Sequence, residues 1–270
     1  MAFNLSRLGI VGRLGIIGLA VALLPWLAPP AGAQSSDAET LREYQAAEEY
    51  QACMTLARRV PEQGLESALA WIGEGGGAPA QHCAAVAQIE LKDYRGAGER
   101  LEKAATSIPK DKAGLAADLL GQAGQAWLLA GDLDHAAAAQ TAALALAPDN
   151  VDLLVDRAFT LATAENYWEA IDDLNQAREL APRRVDILVF RAAAYRYVDG
   201  MDLAREDIAQ ALDLAPDNPD ALLERGTLRR LAGDAAGARA DWLKVVSLAK
   251  ATPVADAARA NIEKLDLKTE

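Results

Sequence analysis

Residues 151–182 read VDLLVDRAFTLATAENYWEAIDDLNQARELAP, and residues 183–216 read RRVDILVFRAAAYRYVDGMDLAREDIAQALDLAP. Both close on Leu-Ala-Pro, as does the segment before them at Leu146-Ala147-Pro148, so Pro148, Pro182 and Pro216 recur every 34 residues. A fixed period of this length marks a chain built from one supersecondary unit, stacked on copies of itself because no single copy buries its apolar face alone.

With proline at place 32 of each unit, five successive units fall into register. Place 8 is Ala85, Gly124, Ala158, Ala192 and Gly226; place 20 is Ala97, Ala136, Ala170, Ala204 and Ala238; place 27 is Ala104, Ala143, Ala177, Ala211 and Val245. Small residues at fixed places predict two helices crossing at close range, where a bulkier side chain would push the axes apart. Larger apolar residues fill the remaining gaps: Leu120, Leu154, Leu188 and Leu222 at place 4, Trp127, Leu161 and Tyr195 at place 11, and Leu101, Leu174, Ile208 and Trp242 at place 24. Their spacing is that of amphipathic helices.

Leu120-x2-Ala123-Gly124-x2-Trp127 with Ala136 and Pro148, and Leu188-x2-Arg191-Ala192-x2-Tyr195 with Ala204-x3-Ile208 and Pro216, resemble the tetratricopeptide repeat pattern. The resemblance runs from about Ala78 to Lys250. It departs at Gln140, polar at place 24, at Arg229 in place 11, and at Lys250 where proline is expected. It implies an all-α fold, a right-handed superhelical solenoid of antiparallel helix pairs, with the first helices lining a concave groove. The family's groove places map onto Val155, Asp156, Phe159 and Thr163, then Val189, Phe190, Arg196 and Tyr197, then Leu223, Glu224, Thr227 and Arg230. Of these, Phe159, Thr163, Phe190, Arg196, Tyr197, Thr227 and Arg230 are the candidate partner-binding residues, since aromatic and arginine side chains carry much of the energy of protein interfaces. Phe159 and Phe190 have a second reading as packing between repeats. The carboxylate grip of the chaperone-docking members is not expected, because its asparagine and lysine are missing from the matching positions.

Places 7 and 23 vary together. They read Arg157/Asp173, Arg191/Asp207 and Arg225/Asp241, whereas the other units read Ala123/Ala139 and Ala84/Arg100. Joint appearance predicts an ion pair between the two helices of one hairpin, with the planar guanidinium forked onto the carboxylate. The rival reading, a ladder of arginines for an anion, does not explain why each brings its own aspartate.

The ends of the chain do not share the period. Residues 1–33 carry Arg7 and Arg13, an uncharged run from Leu14 to Leu24, prolines at 25, 29 and 30, and Ala31-Gly32-Ala33 before Gln34. This is the layout of a secretory signal peptide, and the apolar run is shorter than the ~20 residues that span a bilayer. The expected organisation is therefore a signal peptide at 1–33, an atypical helical hairpin at 34–77, about five repeats at 78–250, and a capping helix at 251–270 opened by Pro253. Glycines at 73 and 75–77 end the hairpin, and the surplus residues between Pro109 and Pro148 are expected to lengthen the loop around Lys110-Asp111-Lys112. Two cysteines, Cys53 and Cys83, fit a disulfide in an oxidising compartment; two buried free thiols are the alternative.

The net charge of −12 becomes −14 without Arg7 and Arg13, which disfavours nucleic acid and anionic membrane surfaces as partners. Neither a catalytic constellation nor a metal set is legible: His82 beside Cys83 lacks further ligands, His135 reads as a surface residue, and no phosphate-cradling or nucleophile motif occurs. No cofactor is implied. The expectation is a periplasmic scaffold or adaptor that binds a peptide segment of another envelope protein. A structural homo-oligomer, or a non-catalytic subunit that positions an envelope enzyme, is the alternative.

Overall fold

The computed structural model describes residues 47–267, and every regular element among them is a helix. The proposed signal peptide and the beginning of the 34–77 hairpin lie outside the described residues. The chain falls into two compact units that divide between Asp93 and Tyr94. That boundary lies inside the segment counted by the 34-residue register as the first repeat.

The first unit contains α1 (residues 47–59), α2 (Pro61–Gly73) and α3 (Gly77–Glu90). Its core is Cys53, Met54 and Ala57 from α1, Ala68 and Trp71 from α2, and Ala80, Cys83, Ala84 and Ala87 from α3. A Cβ on Gly64 would lie 2.3 Å from the Ala57 Cα, so α1 and α2 touch backbone to backbone. Cys53 and Cys83 form a disulfide across α1 and α3, with Cα atoms 6.1 Å apart. The glycine-rich stretch makes the α2–α3 turn, using left-handed backbone at Gly75 and Gly77.

The second unit runs through α4 (Tyr94–Thr106), a single 3-10 turn (Lys110–Lys112), α5 (Ala113–Leu129), α6 (Leu133–Leu146), α7 (Val151–Thr163), α8 (Tyr167–Leu180), α9 (Val185–Tyr197), α10 (Met201–Leu214), α11 (Pro219–Leu231), α12 (Ala235–Leu248) and α13 (Pro253–Asp266). Each helix packs chiefly on the next, and α5, α7, α9 and α11 also touch one another in file. Ala136, Ala170, Ala204 and Ala238 at place 20, and the place-27 residues Ala143, Ala177, Ala211 and Val245, have no exposed surface. Ala255 and Ala258 of α13 are likewise buried, and Ile262 and Leu265 pack on the cluster around Trp242. A last helix with one apolar face closes an array that otherwise ends on open core.

Places 8 and 24 are matched in size. Trp242 is fully buried over Gly226, where a Cβ would lie 2.4 Å from the indole Nε1. Gln140 crosses Gly124 in the same way, at 2.5 Å from its Cγ. Where place 24 is Leu174 or Ile208, place 8 keeps a methyl, Ala158 or Ala192. The surplus before Pro148 goes mostly into helix rather than loop: α5 has 17 residues where α7, α9 and α11 have 13. The alanine-rich sequence after Lys112 favours helix, and Ala116 finds cover in the added turn.

The turn inside every repeat is built alike. Place 15 has positive φ in all five units: Lys92, Gly131, Glu165, Asp199 and Gly233. The next backbone N–H then donates to the place-11 carbonyl, as in Asn166 to Leu161 (2.9 Å) and Gly200 to Tyr195 (2.8 Å). This left-handed helix ending leaves no trace in the apolar pattern. Asn150, Asn218, Asp132, Asp234 and Thr252 cap the N-termini of α7, α11, α6, α12 and α13. Arg184, preceding α9, makes no such cap and forks onto Asp186 instead.

Candidate functional site

The three coupled pairs are forked. Arg157 Nε and Nη2 donate to the Asp173 carboxylate at 2.8 and 2.6 Å, Arg191 to Asp207 at 2.8 and 2.5 Å, and Arg225 to Asp241 at 2.9 and 2.7 Å. The remaining Nη1 of Arg157 reaches Thr141, and that of Arg191 reaches Asn175, both on the second helix of the preceding hairpin. Each of these two arginines thus joins three helices. Arg229, the departure at place 11, also donates to Asp241, at 2.7 Å. These groups are occupied in holding the array and offer no anion ladder.

The first-helix face has its own seam. Gln125 of α5 donates to Asp156 of α7 at 2.8 Å. Phe159 of α7 meets Phe190 of α9 edge to face, with centroids 6.1 Å apart. Arg196 of α9 donates through Nε and Nη2 to Glu224 of α11 at 2.5 and 3.3 Å. One contact between successive first helices therefore follows another from α5 to α11, with amide–carboxylate, aromatic and guanidinium–carboxylate chemistry in turn. Tyr197, 36% exposed, lies parallel to Tyr167 of α8 at 4.5 Å, and the Arg196 guanidinium sits 4.5 Å from the Tyr197 centroid.

The chain spans nearly the full length of several solved repeat structures. TTC0263 of Thermus thermophilus, described as a thermophilic TPR protein, superposes with a TM-score of 0.56 at 18% identity, covering 71% of this chain and 100% of that one. PilF of Pseudomonas aeruginosa gives 0.58 at 16% identity over 80% and 99%. YrrB, described as a TPR protein with an unusual peptide-binding site, gives 0.51 at 18% identity over 71% and 96%. The chain has the tetratricopeptide-repeat fold. No family model matches the sequence, and no curated protein resembles it significantly.

Within these tetratricopeptide repeats the seven residues expected on the groove differ in what they have free. Arg196 is committed to Glu224: burial works against its charge, and the carboxylate overrides that, holding its pKa above the ordinary value. The hydroxyls of Thr163 and Thr227 donate to the carbonyls of Phe159 and Leu223, one turn back. Phe159 and Phe190 are partly buried against each other, and Arg230 is partly buried. Tyr197 is the most open of the set. Tyr167 escaped sequence reading because it belongs to a second helix, and Gln125 because an isolated amide has no pattern. Asp156 is the most perturbed carboxyl of the face. Burial pushes it from its usual 3.8 up to about 6, against the pull of the Gln125 hydrogen bond; Asp152 adds to the rise and Arg184 opposes it.

The histidines are engaged in side-chain contacts. Nδ1 of His82 is 2.7 Å from the Tyr50 hydroxyl, and exposed His135 stacks on Trp127 at 4.8 Å with its Nδ1 2.9 Å from Asp132. Among the described residues no three His, Cys, Asp or Glu side chains converge as a metal site would require. What the tetratricopeptide repeats present is a surface of aromatic rings and carboxylates on aligned helices.

Proposed function

We propose that this chain is a non-catalytic scaffold that holds a segment of another protein against α5, α7, α9 and α11, and that it does so in the periplasm after export. The observation that carries the reading is the seam from Gln125–Asp156 through Phe159–Phe190 to Arg196–Glu224, with Tyr197 open beside it. Internal pairing pre-organises these side chains, so little rotamer freedom remains to be lost when a ligand arrives. A peptide-binding site in YrrB, a protein of the same fold, is consistent with this use. Export rests on the sequence of residues 1–33, and the Cys53–Cys83 disulfide suits an oxidising compartment. No described helix is long and apolar enough to cross a membrane.

Replacing Tyr197 with a photocrosslinking phenylalanine derivative in cells that make the chain should trap a second polypeptide. The same replacement at Leu243, exposed on α12, should trap none. Equal trapping at both positions would remove the face from consideration. N-terminal sequencing of the mature chain should begin at Gln34; a chain retaining Met1 would refute cleavage.

A further inference from the structure

The first-helix face carries more acid than its packing uses. Place 2 is aspartate in four successive units, Asp118, Asp152, Asp186 and Asp220, and place 6 adds Asp156 and Glu224. Asp152, Asp186 and Asp220 stand in the first turns of α7, α9 and α11, where any helix gains from a negative charge. That account fails for the others. Asp118, Asp156 and Glu224 each sit a full turn or more inside their helices, beyond the reach of the terminal dipole. Asp118 makes the point most sharply: the added turn of α5 moves the helix start away, yet the aspartate keeps its place.

Two guanidiniums on this side are already assigned. Arg184 bridges Asp152 and Asp186 at 2.5 and 2.6 Å, and Arg196 takes Glu224. Among the described residues no ion pair reaches Asp118 or Asp156. The Asp156 carboxylate accepts its hydrogen bond from a neutral amide, Gln125. A partly buried carboxylate held by an amide is poorly compensated, and beside it Phe159 and Phe190 offer an apolar patch. The juxtaposition is that of a cation seat next to an aromatic one.

We propose that the occupant of this face is a cationic peptide segment, with a lysine or arginine seated at Asp156 and Asp152, one turn apart on α7, and a neighbouring apolar side chain resting on Phe159 and Phe190. The proposal deepens the scaffold reading and depends on it. Charge complementarity selects the partner: an acidic segment would meet uncompensated carboxylates, and a neutral one would leave Asp156 buried without a counter-charge.

The test uses the full chain and three pools of short fluorescent peptides sharing the same aromatic and leucine positions, with the other positions filled by Lys and Arg, by Ser and Gln, or by Asp and Glu. Fluorescence anisotropy should show the cationic pool binding at least tenfold more tightly than the neutral pool and the acidic pool not binding. In the Asp156→Asn variant that preference should fall below threefold; circular dichroism checks that helicity is retained. Phe159→Ala/Phe190→Ala should weaken the cationic and neutral pools together. Equal binding of cationic and neutral pools, or a preference that survives the asparagine variant, overturns the cationic assignment and leaves the scaffold standing. Binding by none of the pools, or binding indifferent to the phenylalanines, overturns both.

Discussion

Gln140 and Asp156 are two polar side chains buried for opposite reasons. Gln140 fills a place given to Leu174, Ile208 and Trp242 in later repeats, has no exposed surface, and neither of its amide atoms finds a hydrogen-bond partner. A buried unsatisfied amide costs about 1–3 kcal/mol, so Gln140→Leu should raise stability by about that amount, read as a higher urea midpoint with unchanged slope. A loss of stability would mean the amide has a role that packing does not show. Asp156 sits on the face instead of in the core. Its carboxyl titrates near 6 in the folded chain against 3.8 ordinarily, so between those pH values the folded state holds more proton than the unfolded state. Stability from this group is therefore greatest below pH 4 and declines as pH rises through 6. Asp156→Asn should stabilise the chain at pH 7 by roughly 1–3 kcal/mol and by almost nothing at pH 4; chemical denaturation at both values checks the sign. Repeat register exposes Gln140 as an exception. Nothing in sequence exposes the perturbation of Asp156, because burial of a carboxylate depends on what the next helix lays over it.

Helix pairs are held by small residues and by the arginine–aspartate forks. The joint variation of places 7 and 23 identifies which residues meet, but not how deeply. Arg191 and Asp207 are only 7% and 4% exposed as side chains, whereas Arg225 is 35% exposed and its partner Asp241 keeps a second guanidinium from Arg229. Removing one member of a buried pair strands the other and costs about 3–5 kcal/mol. Arg191→Met should therefore lose roughly that much, and Arg225→Met about 1 kcal/mol or less, as expected of a partly exposed pair. Calorimetry of the two variants decides it; equal losses would show that the pairs act independently of burial. The third contacts, to Thr141 and Asn175, were illegible because residues one hairpin away share no period with the arginine that reaches them. The left-handed place 15 was hidden similarly, being lysine, glycine, glutamate, aspartate and glycine in turn.

At the scale of the whole chain, an array in which each helix touches mainly its neighbours need not unfold as one. The disulfide closes a loop of 30 residues within the first unit, which by chain entropy is worth about 3–4 kcal/mol. Reduction should cut hydrogen-exchange protection of α1, α2 and α3 by about that amount and leave α7 to α12 unchanged. A uniform loss along the chain would show that the two units melt together. The 34-residue register counts α3 as half of a repeat with α4, yet the contacts assign α3 to α1 and α2. Cys83, Trp71 and Ala80 decide that grouping, and they lie outside the clearest repeats.

The prolines, the small residues at places 8, 20 and 27, and the paired arginines and aspartates were enough to determine an array of helix hairpins, because a repeated close crossing permits few residue types at each contact. Tertiary structure alone decided which charges are spent and which remain. Whether a carboxylate meets a guanidinium, an amide or nothing depends on side chains from helices about one repeat apart in sequence. Only their distances distinguish Glu224, neutralised by Arg196, from Asp156, held by Gln125.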